Sequence, residues 1–137
     1  MPRTPRKFLL ALAGLLFVSP ALAQNVGPLE SLSACRLDAD RIALSFSYWG
    51  GACEEMDAPE TEISGAFARV SVPIRSTSEV CTAQAVLVEF AGVIDASAAV
   101  TSVDVLVLNS YGGPQAGDIT EVAASGSDCT EPEAKPE

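Results

Sequence analysis

Five carboxylates in the middle of the chain form the densest group of side chains that could carry chemistry. They are Glu54, Glu55, Asp57, Glu60 and Glu62. Calcium takes about six to eight oxygen ligands, so these residues are candidate calcium ligands, although their spacing does not match an EF-hand. The alternative is an acidic loop that is simply solvated. We expect the solvated loop, with no metal and no cofactor.

Histidine is absent from the whole chain. This excludes Ser-His-Asp and Cys-His nucleophiles and removes the commonest general acid and base near neutral pH. Paired carboxylates could hydrolyse glycosides, but the few aromatic residues fall mostly at core positions of predicted strands. No glycine-rich loop lies between a strand and a long helix, as a phosphate site would need. We therefore expect no enzymatic activity and no catalytic residues.

Four cysteines follow the first two dozen residues: Cys35, Cys53, Cys81 and Cys129. An even number in an exported chain predicts two disulfides, for which three pairings are possible. Their order along the predicted strands favours Cys53–Cys81 and Cys35–Cys129. A zinc site is not expected, because no two cysteines have the C-x-x-C spacing and histidine is missing.

The first 23 residues have the layout of a secretory signal peptide. Three basic residues precede an apolar run from Phe8 to Val18, and Ala21 and Ala23 supply the small side chains that signal peptidase requires. The apolar stretch is shorter than the roughly 20 residues that span a bilayer. We predict cleavage after Ala23, a periplasmic or secreted protein, and no membrane association after cleavage.

The charge of the exported chain narrows its partners. Of the 8 basic residues three are lost with the signal peptide, which leaves 5 basic against 18 acidic side chains, a net charge of −13. Nucleic acids and anionic membranes bind through Lys and Arg, so neither is an expected partner. We expect another envelope protein or an extracellular ligand.

The body of the chain reads as strands. From Arg41 to Trp49 apolar residues alternate with small polar ones, which predicts a half-buried strand. Its inward residues are Ile42, Leu44, Phe46 and Tyr48. Further strands are predicted over residues 61–75, 80–90, 103–108 and 118–124, and residues 95–99 could form one helical turn.

Two of these strands carry specific expectations. In the strand over 61–75 the apolar residues change parity, which predicts a bulge or bend between Phe67 and Val70. Pro73 marks its far end as an edge, because proline cannot donate to a ladder. The strand over 80–90 is apolar on both faces, which predicts a central strand.

Short strands joined by Gly, Pro and Ser turns predict an all-β fold. We expect a small immunoglobulin-like antiparallel β-sandwich with two disulfides, and a small β-barrel is the alternative. The expected organisation is a signal peptide (1–23), an N-terminal extension (24–34), the β-domain (35–124) and an acidic disordered tail (125–137). The turn Gly50-Gly51-Ala52-Cys53 is similar to turns of small exported bacterial β-sandwich proteins, but it identifies no family.

Trp49 is the one residue that suggests a contact. It lies on the face of its strand opposite to Ile42 and Phe46, and we favour a role in closing one end of the core over a role in binding. The function that remains is a non-catalytic binding or interaction module of the bacterial periplasm or cell envelope. The alternative is an inhibitor or accessory factor that acts on an exported enzyme through a loop.

Overall fold

The alternating sequence forms eight β-strands in a computed structural model that describes residues 26–126 and 128–133. They are β1 (Glu30–Arg36), β2 (Arg41–Gly51), β3 (Glu54–Met56), β4 (Glu60–Ser64), β5 (Phe67–Ser76), β6 (Ala85–Asp95), β7 (Ser102–Leu108) and β8 (Pro114–Ala123). No helix that could cross a membrane occurs among these residues. The predicted signal peptide, together with positions 127 and 134–137 of the predicted tail, lies outside the described residues.

The strands form one sheet in the order β3-β5-β7-β8-β1-β2-β6, with β4 also pairing with β5. This sheet curls until it is nearly barrel-shaped. The predicted all-β class is confirmed, as are the two disulfides, Cys35–Cys129 and Cys53–Cys81. Of the two architectures considered, the small barrel is the closer description, because the strands are connected along one continuous path.

The sheet is mixed, whereas the sequence analysis predicted an antiparallel one. β5 pairs with β7 in parallel, and β1 pairs with the end of β8 in parallel. Parallel neighbours need a long crossover between them. The chain from β5 to β7 supplies one by passing through β6, which pairs with β2 at the other end of the sheet.

The core lies between the inward faces of β2, β5 and β7. The four residues of β2 predicted to face inward are all buried, as expected from their period of two. They pack against alternate residues of the other two strands: Ala68, Val70, Val72, Ile74, Val103, Val105 and Val107.

The predicted long strand over residues 61–75 is wrong, because it is a hairpin of β4 and β5. The chain reverses at Gly65, whose φ of 61° lies in the left-handed region that glycine adopts readily. The change of parity between Ile63 and Val70 therefore marks a turn and not a bulge. Ile63 pairs with Ala68 and so lies on the side of the even-numbered residues, whereas Phe67 points to the other side and is 55% exposed.

Two predicted strand positions are also wrong. β5 is not an edge, because β7 flanks it on one side and β3 and β4 on the other. Pro73 lies between the segments of β5 that pair with β4 and with β3, and its carbonyl accepts a hydrogen bond from the Asp57 N–H at 2.8 Å. β6 is not central, because it ends the strand order. It begins only at Ala85, so Val80 precedes it and is 87% exposed.

Three further boundaries differ from expectation. β1 lies mostly within the segment expected to be an N-terminal extension, and its serine-rich sequence shows no clear alternation. Residues 96–99 form no helical turn; instead the Ala96 N–H donates to the carbonyl of Asp40 at 2.8 Å. β8 begins at Pro114, before the predicted start at Asp118.

Candidate binding site

The open side of the barrel lies between the two end strands of the sheet, β3 and β6. At one end they are held together by the Cys53–Cys81 disulfide and by a 3.1 Å hydrogen bond from the Ala52 N–H to the Gln84 carbonyl. Beyond this point, no strand within residues 26–126 and 128–133 pairs with the second edge of β6. An edge of this kind presents a row of unpaired N–H and C=O groups.

A groove of about 1370 Å³ follows this free edge. Its walls are the three residues of β3, residues 86–93 of β6, part of β2, and residues 131–133 of the tail. Because consecutive residues of a strand point to opposite faces, a lining that includes all of residues 86–93 wraps around the edge of β6. The groove therefore exposes the inner face, the edge and the outer face of the same strand.

The inner wall of the groove is apolar and pre-formed. The rings of Phe46 and Phe90 stack with their centroids 5.0 Å apart. Phe90 lies over Gly92, where a Cβ atom would be only 2.9 Å from the ring carbon Cζ. Val88 and Met56 complete the wall and are partly buried against the core. Glycine at position 92 is thus what allows the aromatic ring to lie flat inside the groove.

The tied end of the groove is closed by the Glu54 carboxylate, which joins three strands. Its Oε2 accepts hydrogen bonds from the Tyr48 hydroxyl at 3.0 Å, the Gly51 N–H at 2.9 Å and the Gln115 side-chain amide at 3.3 Å. Burial, and then the hydrogen bond to Glu54, raise the pKa of Tyr48 well above its usual range. Gly50 leaves room for this contact, since a Cβ there would lie 2.8 Å from the Tyr48 ring. We call Tyr48, Glu54 and Gln115 the polar cap.

Comparison with known proteins gives no relative from which a function could be transferred. No family model, curated protein or solved structure matches this chain. The chemistry of its own surface is therefore the basis for assigning a function.

The five predicted carboxylates are not brought together around one point. Glu54 belongs to the polar cap, while Glu55 and Asp57 each accept a hydrogen bond from Arg75 at 2.9 Å. The remaining two lie exposed on β4. In the described part of the chain there is no group of three or more acidic or cysteine side chains that could hold a metal ion. The calcium hypothesis thus has no ligand set among these residues.

Trp49 is 61% exposed, so the interpretation that it closes one end of the core is wrong. It lies directly across from Leu87 on the outer face, and Leu87 is itself 44% exposed. Leu87 lines the groove, and Trp49 lies next to it as a further exposed apolar side chain. A binding role for Trp49 stays a prediction.

Sequence reasoning missed the residues of β6, Leu87, Glu89 and Phe90, as part of a candidate site. Their apolar neighbours suggested a buried central strand, so no exposed edge was expected there. One available signal was Glu89, the single charged residue between Val80 and Ile94. A fully buried central strand rarely carries an unpaired carboxylate, whereas edge strands commonly carry a charge.

Proposed function

We propose that this protein is a non-catalytic binding module of the bacterial periplasm or cell envelope, and that it binds through the groove along β6. The observation that carries the proposal is the free edge of an 11-residue strand whose inner face is apolar and only half-buried. Exposed apolar surface of this kind is a common feature of interaction sites. The groove is concave, as a general binding surface should be.

A position outside the cytoplasm is supported by the cysteines. Both disulfides are consistent with an oxidising compartment, because thiols in the cytosol are kept reduced. The basic and apolar layout of residues 1–23 supports the same assignment. Together they support a periplasmic or extracellular location for the proposed binding event.

A catalytic role has little support from the residues available. The chain has no histidine, and Glu54, one of the five carboxylates that line the groove, is already bound by three donors. General acid–base catalysis needs a group that can exchange protons with a substrate. Glu54 ties strands together instead.

The proposal is tested by site-specific photo-crosslinking in cells of the source organism. A photo-reactive amino acid at Leu87, beside the groove, should give a discrete crosslinked species. The matched control is Ile119, which is 61% exposed on β8, and it should give none. Equal crosslinking at both positions, or none at Leu87, would contradict the assignment of the groove as the binding surface.

A loop-based function, as an inhibitor or accessory factor of an exported enzyme, is the second candidate. It is favoured by the turn between β7 and β8, where Tyr111 is 97% exposed. Asn109 fixes this turn, because its Oδ1 accepts hydrogen bonds from the N–H groups of Tyr111 and Gly113, both at 3.0 Å. A crosslink from position 111, with none from position 87, would favour this function over the first.

A further inference from the structure

We propose that the occupant of the groove is an extended segment of a partner protein that adds to β6 as a new strand and carries a basic residue opposite Glu89. This inference rests on the proposed function, because it names the partner class of the same groove.

The free edge determines the backbone conformation of the occupant. β6 pairs with β2 at every position from Ala85 to Asp95, so its geometry is that of a regular strand. The other edge has no partner among the described residues. A strand of this length with an open edge is a template for β-strand addition, in which main-chain hydrogen bonds hold the added segment.

The two faces of β6 determine the side chains of the occupant. Inward, toward the stacked Phe46 and Phe90, β6 places Val86, Val88 and Gly92. An added strand must therefore point apolar side chains inward at every second position. Outward, its side chains lie beside Leu87 and Glu89.

Charge complementarity determines the sign of the charge that the occupant should carry. The groove lining contains five carboxylates and no Lys or Arg. Glu55 and Glu131 form ion pairs with arginines elsewhere, whereas no ion pair to Glu89 is found within residues 26–126 and 128–133. Glu89 lies across from Ser47 of β2, and this serine does not compensate the charge of the carboxylate. A Lys or Arg on the added strand would supply the missing partner.

Two other occupants, the chain's own tail and a second copy of the chain, fit the groove less well. The chain's own tail borders the groove at residues 131–133, but Pro132 and Pro136 cannot donate to a ladder and its glutamates add like charge. A second copy that pairs through β6 with the apolar face inward would place its Glu89 on the same face as the first. In an exported chain with 5 basic and 18 acidic side chains that contact is repulsive.

The test uses the exported protein and three synthetic nine-residue peptides. The first alternates valine with threonine and lysine, the second replaces lysine with glutamate, and the third is the lysine peptide with alternate backbone nitrogens methylated. Binding is followed by the fluorescence of Trp49, which is the only tryptophan, and by amide hydrogen exchange of β6.

We expect saturable binding of the lysine peptide, roughly tenfold weaker binding of the glutamate peptide, and none of the methylated one. Amides of β6 should exchange more slowly in the complex. Glu89→Lys should reverse the preference between the first two peptides. The control Glu121→Lys changes an exposed carboxylate on β8 and should leave the preference unchanged.

Several results would overturn the proposal. They are no binding of the lysine peptide, binding that survives backbone methylation, and a preference that Glu89→Lys does not alter. Binding that requires removal of residues 134–137 would identify the tail as the occupant, and a dimer dissociated by the peptide would identify a second copy. A crosslink at Leu87 without peptide binding would leave the proposed function standing and refute strand addition alone.

Discussion

Single residues tie the two ends of the barrel. At one end the polar cap joins β2, β3 and β8 through the Glu54 carboxylate. At the other, the Arg36 guanidinium donates to the carbonyls of Ala96, Ser97 and Val100 at distances of 3.0, 3.0 and 2.8 Å. These side chains satisfy groups that strand pairing leaves over at each end of the sheet. They add hydrogen bonds between separate segments of the chain at both ends of the barrel.

Removing the Tyr48 hydroxyl tests the polar cap. Tyr48→Phe keeps the buried ring but deletes the 3.0 Å hydrogen bond to Glu54. We expect a loss of about 1.5–3 kcal/mol in the free energy of unfolding, since the bond has a charged acceptor. Urea denaturation measures this loss. The matched control is Tyr111→Phe at a fully exposed position, which should change stability by less than about 0.5 kcal/mol.

The raised pKa of Tyr48 predicts that the free energy of unfolding falls at alkaline pH. Burial and Glu54 favour the neutral phenol in the folded state, so the unfolded chain loses this proton first. The stabilisation is therefore complete below the unfolded pKa of about 10 and is lost as the pH rises toward the folded value.

The slope of the free energy of unfolding against pH is the measurable quantity. Between the two pKa values the free energy of unfolding should fall by about 1.4 kcal/mol per pH unit on account of this group. Urea titrations from pH 9 to 11 should show this slope in the wild type and a shallower one in Tyr48→Phe. Identical slopes in the two proteins would refute the linkage.

At the scale of elements, two features position β3, the strand that lines the groove opposite β6: its pairing with β5 and its tie to β6. β5 also forms a hairpin with β4, and this hairpin depends on a left-handed residue at Gly65. The Cys53–Cys81 disulfide holds β3 near the start of β6. Each can be perturbed without touching the core.

Gly65→Ala tests the turn. No atom lies within 4 Å of a Cβ placed at position 65, so any effect comes from the positive φ alone. Alanine should lower the free energy of unfolding by about 1–2 kcal/mol. Gly65→Asn should recover part of this loss, because asparagine tolerates the left-handed region. An equal loss in both variants would point to a cause other than backbone conformation.

Removing the Cys53–Cys81 disulfide tests the tie. The double variant Cys53→Ala, Cys81→Ala opens a loop of 28 residues, for which the chain-entropy model gives a loss of ~3.5 kcal/mol. Hydrogen exchange should rise first in β3 and at the start of β6. Removal of Cys35–Cys129 is the comparison, and it should leave exchange in β3 unchanged. Equally faster hydrogen exchange throughout the protein in both variants would show that the Cys53–Cys81 disulfide does not act locally on β3 and β6.

At the scale of the whole molecule, acidity dominates the surface. Residues 24–137 have 5 basic and 18 acidic side chains, a net charge of −13. Several of these carboxylates are committed to arginines or to the polar cap. What remains is a diffuse negative field, which favours a basic partner over an anionic one.

Added calcium tests whether that field is diffuse. We expect millimolar Ca²⁺ to shift the melting temperature no more than NaCl of equal ionic strength, because the five candidate carboxylates do not converge. A bound ion would instead stabilise by ~2.7 kcal/mol at a hundredfold excess over Kd. A saturable, calcium-selective rise that Asp57→Ala abolishes would contradict this expectation.

The sequence by itself determined the class of fold, the face of β2 that is buried, and both disulfides. These features depend on local patterns: a period of two places Ile42 to Tyr48 on one face, and the order of the cysteines along the strands favoured one pairing. The fold class, with a small barrel as its alternative, followed from the same patterns.

Only the tertiary structure decided which strands are edges, and with them the candidate site. Apolar residues on both faces of β6 fit a central strand as well as an edge strand that borders a groove, and Pro73 fits an edge as well as a break between β3 and β4. Strand neighbours come from distant parts of the chain, so no local period encodes them. The open side of the barrel arises from that long-range pairing.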